Sequence, residues 1–255
     1  VDLNFDALLA AHYKGPTQWA RVVTERWVST HLFCPSCGHS LESYPNNTPA
    51  ADFLCLTCHE QFELKSKQGL FGSRIVDGAY SAMLRRLRSN QAPNLLGLTY
   101  DRAQARVRNL FVIPSQFFVP EIIERRKPLA PTARRAGWVG CNILVRKVPP
   151  AGRVSIITDG VAIAKGDVLK AWRRTLFLRD QPQLEKRGWL LDVMNCVERL
   201  EKPQFQLSDV YQHEDSIARL HPGNRHVRAK IRQQLQVLRD SGFLEFLGQG
   251  QYRVR

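Results

Sequence analysis

The chain has 255 residues, an apolar share of 44% and a formal net charge of +14 at pH 7. That length holds one large domain or two smaller ones, and no apolar run approaches the roughly eighteen residues of a membrane helix. The excess of positive charge favours a polyanionic partner, nucleic acid first. Six cysteines in so long a chain argue against a secreted disulfide scaffold and fit a reducing, cytoplasmic setting.

The charge is concentrated in the middle of the chain. Residues 121–153 hold eight Lys/Arg against Glu121 and Glu124, and residues 65–108 hold nine against Asp77 and Asp101. Residues 181–255 hold twelve against nine acids. A solvated basic surface is the plain alternative to a binding surface. The first residues carry Asp2 and Asp6 and no basic stretch, so a signal peptide is not expected.

In chain order, residues 4–13 and 17–29 read as two helices, with Pro16 suited to the entry of the second. Trp19, Val22, Val23, Arg26 and Trp27 follow it at helical spacing. Residues 34–58 read as a compact loop region, and residues 61–65 alternate as a strand. A helical face of Val76, Tyr80, Met83, Leu84 and Leu87 predicts a helix over 73–88, weakened by about 1 kcal/mol at Gly78. Strands are expected at 94–100, 109–114 and 153–158, with an irregular basic loop over 125–142. The texture changes near residue 182, which divides a first domain (1–181) from a second (182–255).

Cys34-x2-Cys37 and Cys55-x2-Cys58 are separated by seventeen residues. Each C-x2-C turn points two thiolates at one place, and two such turns complete a tetrahedron around zinc. Four thiolates leave no open position, so this zinc is expected to be structural. His39 and His59 flank the pairs as substitute ligands. Cys141 and Cys196 are isolated and read as buried small hydrophobes.

The second pair sits between Asp52 and the sequence Glu63-Leu64-Lys65. Residues two apart on a strand face the same way, so Glu63 and Lys65 share a face while Phe62 and Leu64 pack on the other. If the zinc turn folds the chain back, Asp52 meets Glu63 on an adjacent strand. Two carboxylates at one point make a hard oxygen site for Mg²⁺, which takes a few carboxylates with water and phosphate, and the carbonyl of Leu64 is a further candidate ligand. Lys65 would then position or deprotonate the attacking water. A plain surface ion pair is the alternative.

The tail reads as helix, short strand, two helices and two strands. Trp189, Val193, Val197 and Leu200 line the first helix, and Ser208 reads as a helix N-cap with Asp209 behind it. Residues 224–240 form the most regular helix, burying Val227, Ile231, Leu235 and Leu238. Its far side carries Arg225, Ala229, Arg232, Gln233 and Gln236, types suited to base edges and phosphates. A hairpin turning at Gly248-Gln249-Gly250 follows as a wing, which makes a winged-helix layout. A helical packing domain or a protein-binding winged helix is the alternative.

Asp52, ten residues and then Glu63-x-Lys65 resembles the PD-(D/E)XK nuclease signature, with Ala51 in place of its proline. With the zinc pairs and the tail, the chain resembles the DpnI-like methyl-directed restriction endonucleases from about residue 13 onward. Residues 52–67, "DGAY" (77–80), "RKPLAPTARRAGWVGCNI" (126–143) and "KIRQQLQVLRD" (230–240) carry the likeness. It implies a mixed α+β PD-(D/E)XK core with an embedded zinc site and a C-terminal winged helix.

It further implies a type II enzyme that cuts duplex DNA at GATC containing N6-methyladenine by Mg²⁺-dependent hydrolysis. Asp52, Glu63 and Lys65 fall on the family's catalytic positions, and Cys34, Cys37, Cys55 and Cys58 on its zinc ligands. Trp138 becomes a candidate for the methyl contact, with a core tryptophan as the alternative. Expected DNA contacts are Arg125, Arg126, Lys127, Arg134, Arg135 and Trp138 in the first domain, and Arg225, Arg228, Arg232, Gln233 and Gln236 in the second. A monomer is expected. The rivals are a non-catalytic zinc and winged-helix DNA-binding regulator, and a nuclease of the same chemistry with another target.

Overall fold

The computed structural model describes residues 1–10, 13, 15–45 and 51–255. The architecture is mixed α+β, in two compact units: Val1–Val145 with Ala151–Leu176, and Arg146–Pro150 with Phe177–Arg255. Among the described residues no helix is long and apolar enough to cross a membrane.

The first unit contains α1 (Pro16–His31), β1 (Glu42–Ser43), β2 (Phe53–Leu54), β3 (Gln61–Gln68), β4 (Arg74–Ala79) and α2 (Tyr80–Arg88). It continues with β5 (Asn94–Asp101), β6 (Arg106–Ile113), β7 (Ile123–Arg125), β8 (Gly140–Leu144), β9 (Val154–Thr158), β10 (Val161–Ala162) and α3 (Lys165–Arg173). Seven strands form one sheet in the order β1-β2-β3-β5-β6-β9-β10. Only β3 and β5 are parallel, with Glu63 opposite Leu95 and Lys65 opposite Gly97. A second sheet has the order β4-β8-β7, all antiparallel.

Pro16 opens α1, where its missing N–H is no loss. Trp19, Ala20, Val23, Thr24, Trp27 and Val28 bury one face of that helix at three- and four-residue spacing. They pack with Phe53, Phe62, Leu96, Leu98, Leu110 and Val112 from the large sheet, and with Trp172 from α3. The Thr24 hydroxyl donates to the Ala20 carbonyl at 2.8 Å and lies 3.2 Å from Ser66 Oγ, so β3 turns its even-numbered side chains toward α1. Glu63 and Lys65 accordingly face the other way. On that face a Cβ at Gly97 would lie 2.3 Å from the Phe111 ring, so glycine is what admits the ring beside Lys65.

The second unit contains α4 (Leu184–Arg199), β11 (Gln204–Gln206), α5 (Leu207–Tyr211), α6 (Glu214–Leu220), α7 (Val227–Asp240), β12 (Leu244–Gly248) and β13 (Gln251–Val254). Its sheet order is β11-β13-β12. Asn195 of α4, nearly buried, donates to the Lys147 carbonyl at 2.7 Å, which ties the short segment 146–150 to this unit.

Four sequence expectations are corrected. Residues 4–10 hold a single 3-10 turn at Ala7–Ala10, and Leu3 to Phe5 instead run beside the start of β6, with Val107 N–H donating to Leu3 and Asn4 bridging Arg106. Residues 11 and 12 of that expected helix lie outside the described residues.

The expected helix over 73–88 is a strand for its first half. Ile75 and Asp77 are buried and Val76 is exposed, the period of two that pairing with β8 imposes, and a bulge next to Gly78 precedes α2. Ser208 is not the cap of α5. Gln206 is, in a capping box with Asp209, because pairing of β11 with β13 holds the chain extended through residue 206. Finally, Cys196 is half-buried rather than buried, whereas Cys141 is fully buried.

Candidate active site and zinc centre

The four paired cysteines converge. Their sulfurs all lie within 4.8 Å of one another, with Cys34–Cys58 at 3.6 Å and Cys37–Cys55 at 3.4 Å. A tetrahedron with Zn–S of about 2.3 Å has edges of about 3.8 Å, so the cluster has the size and donors to hold zinc. Among the described residues this is the one group of three or more Cys, His, Asp or Glu gathered so closely.

The two turns are built alike. Gly38 N–H donates to Cys34 and His59 N–H to Cys55, both at 2.8 Å, while the Cys34 and Cys55 N–H groups donate to His39 and Glu60. The fifth residue of each is left-handed, Gly38 at φ 84° and His59 at φ 60°. His59 therefore serves the turn, and neither histidine belongs to the ligand group. Burial raises the Cys34 thiol, while at Cys55 the Cys58 N–H, the Cys37 thiol and the Thr57 N–H together outweigh burial and bring it to about 7. Such N–H groups stabilise thiolates, the form that binds metal.

The second knuckle lies between the acidic elements. β2 pairs antiparallel with β3, Phe53 opposite Phe62, which brings Asp52, the residue before β2, to the Phe62–Leu64 stretch of β3. Asp52 N–H donates to Phe62, and its own Oδ2 accepts the Leu64 N–H at 2.7 Å. In an antiparallel ladder a residue's N–H and C=O project toward the same neighbour. The Leu64 carbonyl thus projects to the edge where the Asp52 carboxylate sits. Two clefts open beside that carboxylate, of about 440 and about 380 Å³, both lined by Arg21, Glu25 and Asp52. Arg21 and Glu25 of α1 were not anticipated from sequence, since nothing local links them to Asp52.

Glu63 and Lys65 are brought together as expected, but not as a surface pair. Lys65 Nζ lies 2.5 Å from Glu63 Oε1 and 2.8 Å from Asp77 Oδ1, and the Asp77 side chain is only 4% exposed. Burial raises Glu63 to about 7; Lys65 opposes that rise and Asp77 adds to it. Burial alone would depress Lys65, but the two carboxylates more than offset it and hold the ammonium above its ordinary range. Asp77 is lowered, its burial outweighed by Lys65 and the Gly78 N–H. The third carboxylate, Asp77, was missed because the segment around it reads as a helix. The buried–exposed alternation Ile75-Val76-Asp77 is the signal that could have found it.

The basic loop lies on the surface. Arg125, Arg126, Lys127, Arg134 and Arg135 are exposed, and Arg135 sits 5.0 Å from the centre of the Trp138 ring. Trp138 is half-buried and outside the apolar core, so the core alternative does not hold. Its ring covers Gly140, where a Cβ would lie 2.8 Å away.

In the second unit, α7 buries Val227, Ile231, Gln234, Leu235 and Leu238 and leaves Ala229, Arg232, Gln233 and Gln236 exposed. Arg225 is exposed just before the helix. Arg228 pairs with Glu214 of α6 at 2.6 Å, and Gln233 Oε1 accepts from Lys230 at 2.8 Å. The hairpin β12–β13 follows α7 as a wing.

These parts define a class: a two-unit α+β protein with a four-cysteine centre, a carboxylate–lysine cluster on a central strand, and a C-terminal winged helix. Residues 1–181 match the family model DpnI, described as the Dam-replacing family. Residues 185–254 match a second model, the Dam-replacing HTH domain. The chain belongs to the Dam-replacing family. Membership supports a methylation-dependent restriction enzyme, and the HTH domain supports DNA binding.

Proposed function

We propose that the chain is a type II restriction endonuclease that hydrolyses duplex DNA at GATC carrying N6-methyladenine, with Mg²⁺. Its nuclease domain covers residues 1–181 and its DNA-reading winged helix residues 182–255. The observation that carries this reading is the edge of β3, where Asp52 binds the Leu64 N–H and Glu63 and Lys65 form a half-buried pair one residue to either side. The donors there are oxygen atoms of the kind Mg²⁺ takes, and the Asp52 end of that edge lies beside open clefts. Asp52, Glu63 and the Leu64 carbonyl would hold the ion, which supplies Lewis-acid stabilisation of charge on the phosphate.

The chain's own groups do the rest. Lys65, held as an ammonium by its carboxylate neighbours, donates to the attacking water or to a phosphate oxygen, and positions rather than deprotonates. The exposed arginines of the loop, Arg125, Arg126, Arg134 and Arg135 with Lys127, hold the DNA backbone. Trp138 offers its half-buried ring to the adenine methyl group. Arg225, Arg228, Arg232, Gln233 and Gln236 form the second reading surface, with Arg228 first having to leave Glu214.

One methyl contact is worth about 1 kcal/mol, so a single pocket discriminates weakly. Two readers on one chain multiply the preference, which gives a reason for the tail. The protein acts as a monomer in this reading.

Plasmid from a methylating and from a non-methylating host, incubated with the protein and Mg²⁺, tests the proposal. Cutting of the methylated DNA alone is expected. Equal cutting of both would leave a nuclease with another target. No nicks at any salt concentration would leave a DNA-binding regulator.

A further inference from the structure

We infer that Asp77 is a positioning residue for the reaction: it anchors the Lys65 ammonium from a separate sheet and keeps it in place when Glu63 is engaged elsewhere. The inference rests on the assignment of Lys65 and Glu63 under the proposed function.

Lysine carries a flexible four-carbon stem, and its ammonium has three donors. Glu63 and Asp77 take two of them, at 2.5 and 2.8 Å, which leaves one for a water or a phosphate oxygen. The two acceptors differ in kind. Glu63 lies two residues from Lys65 on the same strand, and the proposed reaction assigns its carboxylate to a metal ion. An oxygen committed there is a poorer partner for the ammonium. Asp77 is then the carboxylate that remains.

Its setting suits that task. Asp77 sits on β4, opposite Cys141 of β8, immediately before a bulge that ends at Ala79. Bulges re-aim side chains and recur beside active sites. The carboxylate is 4% exposed, and the neighbouring Gly78 N–H favours its ionised form. A carboxylate so buried is tolerable only with a cation against it, and Lys65 is that cation. The ammonium is thereby fixed to the sheet whose strand β8 leads directly out of the basic loop. A residue on β3 alone cannot provide that cross-link.

The test uses the full chain as wild type, Lys65→Ala and Asp77→Asn. Single-turnover cleavage of a methylated duplex, binding of that duplex with Ca²⁺ in place of Mg²⁺, and thermal melting are measured on each. The Lys65 ammonium resonance is followed by ¹⁵N NMR with Ca²⁺ added, the condition in which Glu63 is engaged, and assigned through its loss in Lys65→Ala. Asp77→Asn is expected to slow cleavage about a hundredfold, to bind within about threefold of wild type, and to lose the protected ammonium signal. Cleavage within about threefold of wild type, or an unchanged ammonium signal, overturns the inference. So does a fall in binding and melting with the ammonium signal retained, which is the mark of a purely structural pair. Asp77→Ser replaces the Asn variant if that one does not fold. Wild-type cleavage by Lys65→Ala would fail the proposed function itself, a result distinct from an active Asp77→Asn beside an inactive Lys65→Ala.

Discussion

Lys65→Ala is expected to abolish cleavage while leaving DNA binding nearly intact. The loss should be on the order of a thousandfold or more, the scale of removing one preorganised donor from a developing charge. Asp52→Asn and Glu63→Gln should fall as far in rate, since each removes an anionic ligand from the proposed ion site. Their binding should differ in sign. Removing a carboxylate near a polyanion favours binding, and removing an ammonium disfavours it. Gel-shift titrations with Ca²⁺ should therefore find the two carboxylate variants as tight as wild type or tighter, and Lys65→Ala slightly weaker. Cleavage by any of the three at the wild-type rate would remove that residue from the mechanism.

Loss of zinc is expected to unfold the first unit. Apparent binding energies of structural zinc run on the order of 10 kcal/mol, comparable to the whole stability of a domain at about 5–15 kcal/mol. The centre is placed to transmit that loss. Cys34 and Cys55 are fully buried in the same apolar cluster as Trp27, Phe53 and Phe62. The first turn follows the end of α1, and the second joins β2 to β3. Asp52 stands just before β2, so its bond to Leu64 depends on that turn. Cys55→Ser should bind less than one zinc per chain by elemental analysis, melt well below wild type and lose cleavage. A variant that lacks zinc yet melts and cuts like wild type would make the centre dispensable.

What the sequence disclosed and what it hid divide along the distance between partners in the chain. The cysteine turns are legible because each is local and repeated. Glu63 and Lys65 are legible because a strand's period of two puts them on one face. The stripe of α7 is legible for the same kind of reason.

Asp77 is not. Its partner Lys65 sits on another sheet, and Val76, Tyr80, Met83 and Leu87 imitate a helix across what is a strand and then a helix. The ion pair of Arg228 with Glu214 is hidden likewise, since it crosses from α7 to α6. Gln206 as a cap emerges only once β11 is seen to pair with β13. Arg21 and Glu25 join Asp52 around the clefts through packing of α1 on the sheet, which no local pattern encodes.

The central claim is that the edge of β3 gathers Asp52, Glu63 and the Leu64 carbonyl around one divalent ion next to Lys65. Anomalous diffraction from crystals of the protein with a methylated duplex and Mn²⁺ addresses it most directly. The expected result is a manganese peak within bonding distance of the Asp52 carboxylate and the Leu64 carbonyl, with Glu63 turned toward it. A well-ordered complex with no manganese there, or with the ion held only by other residues, would contradict it.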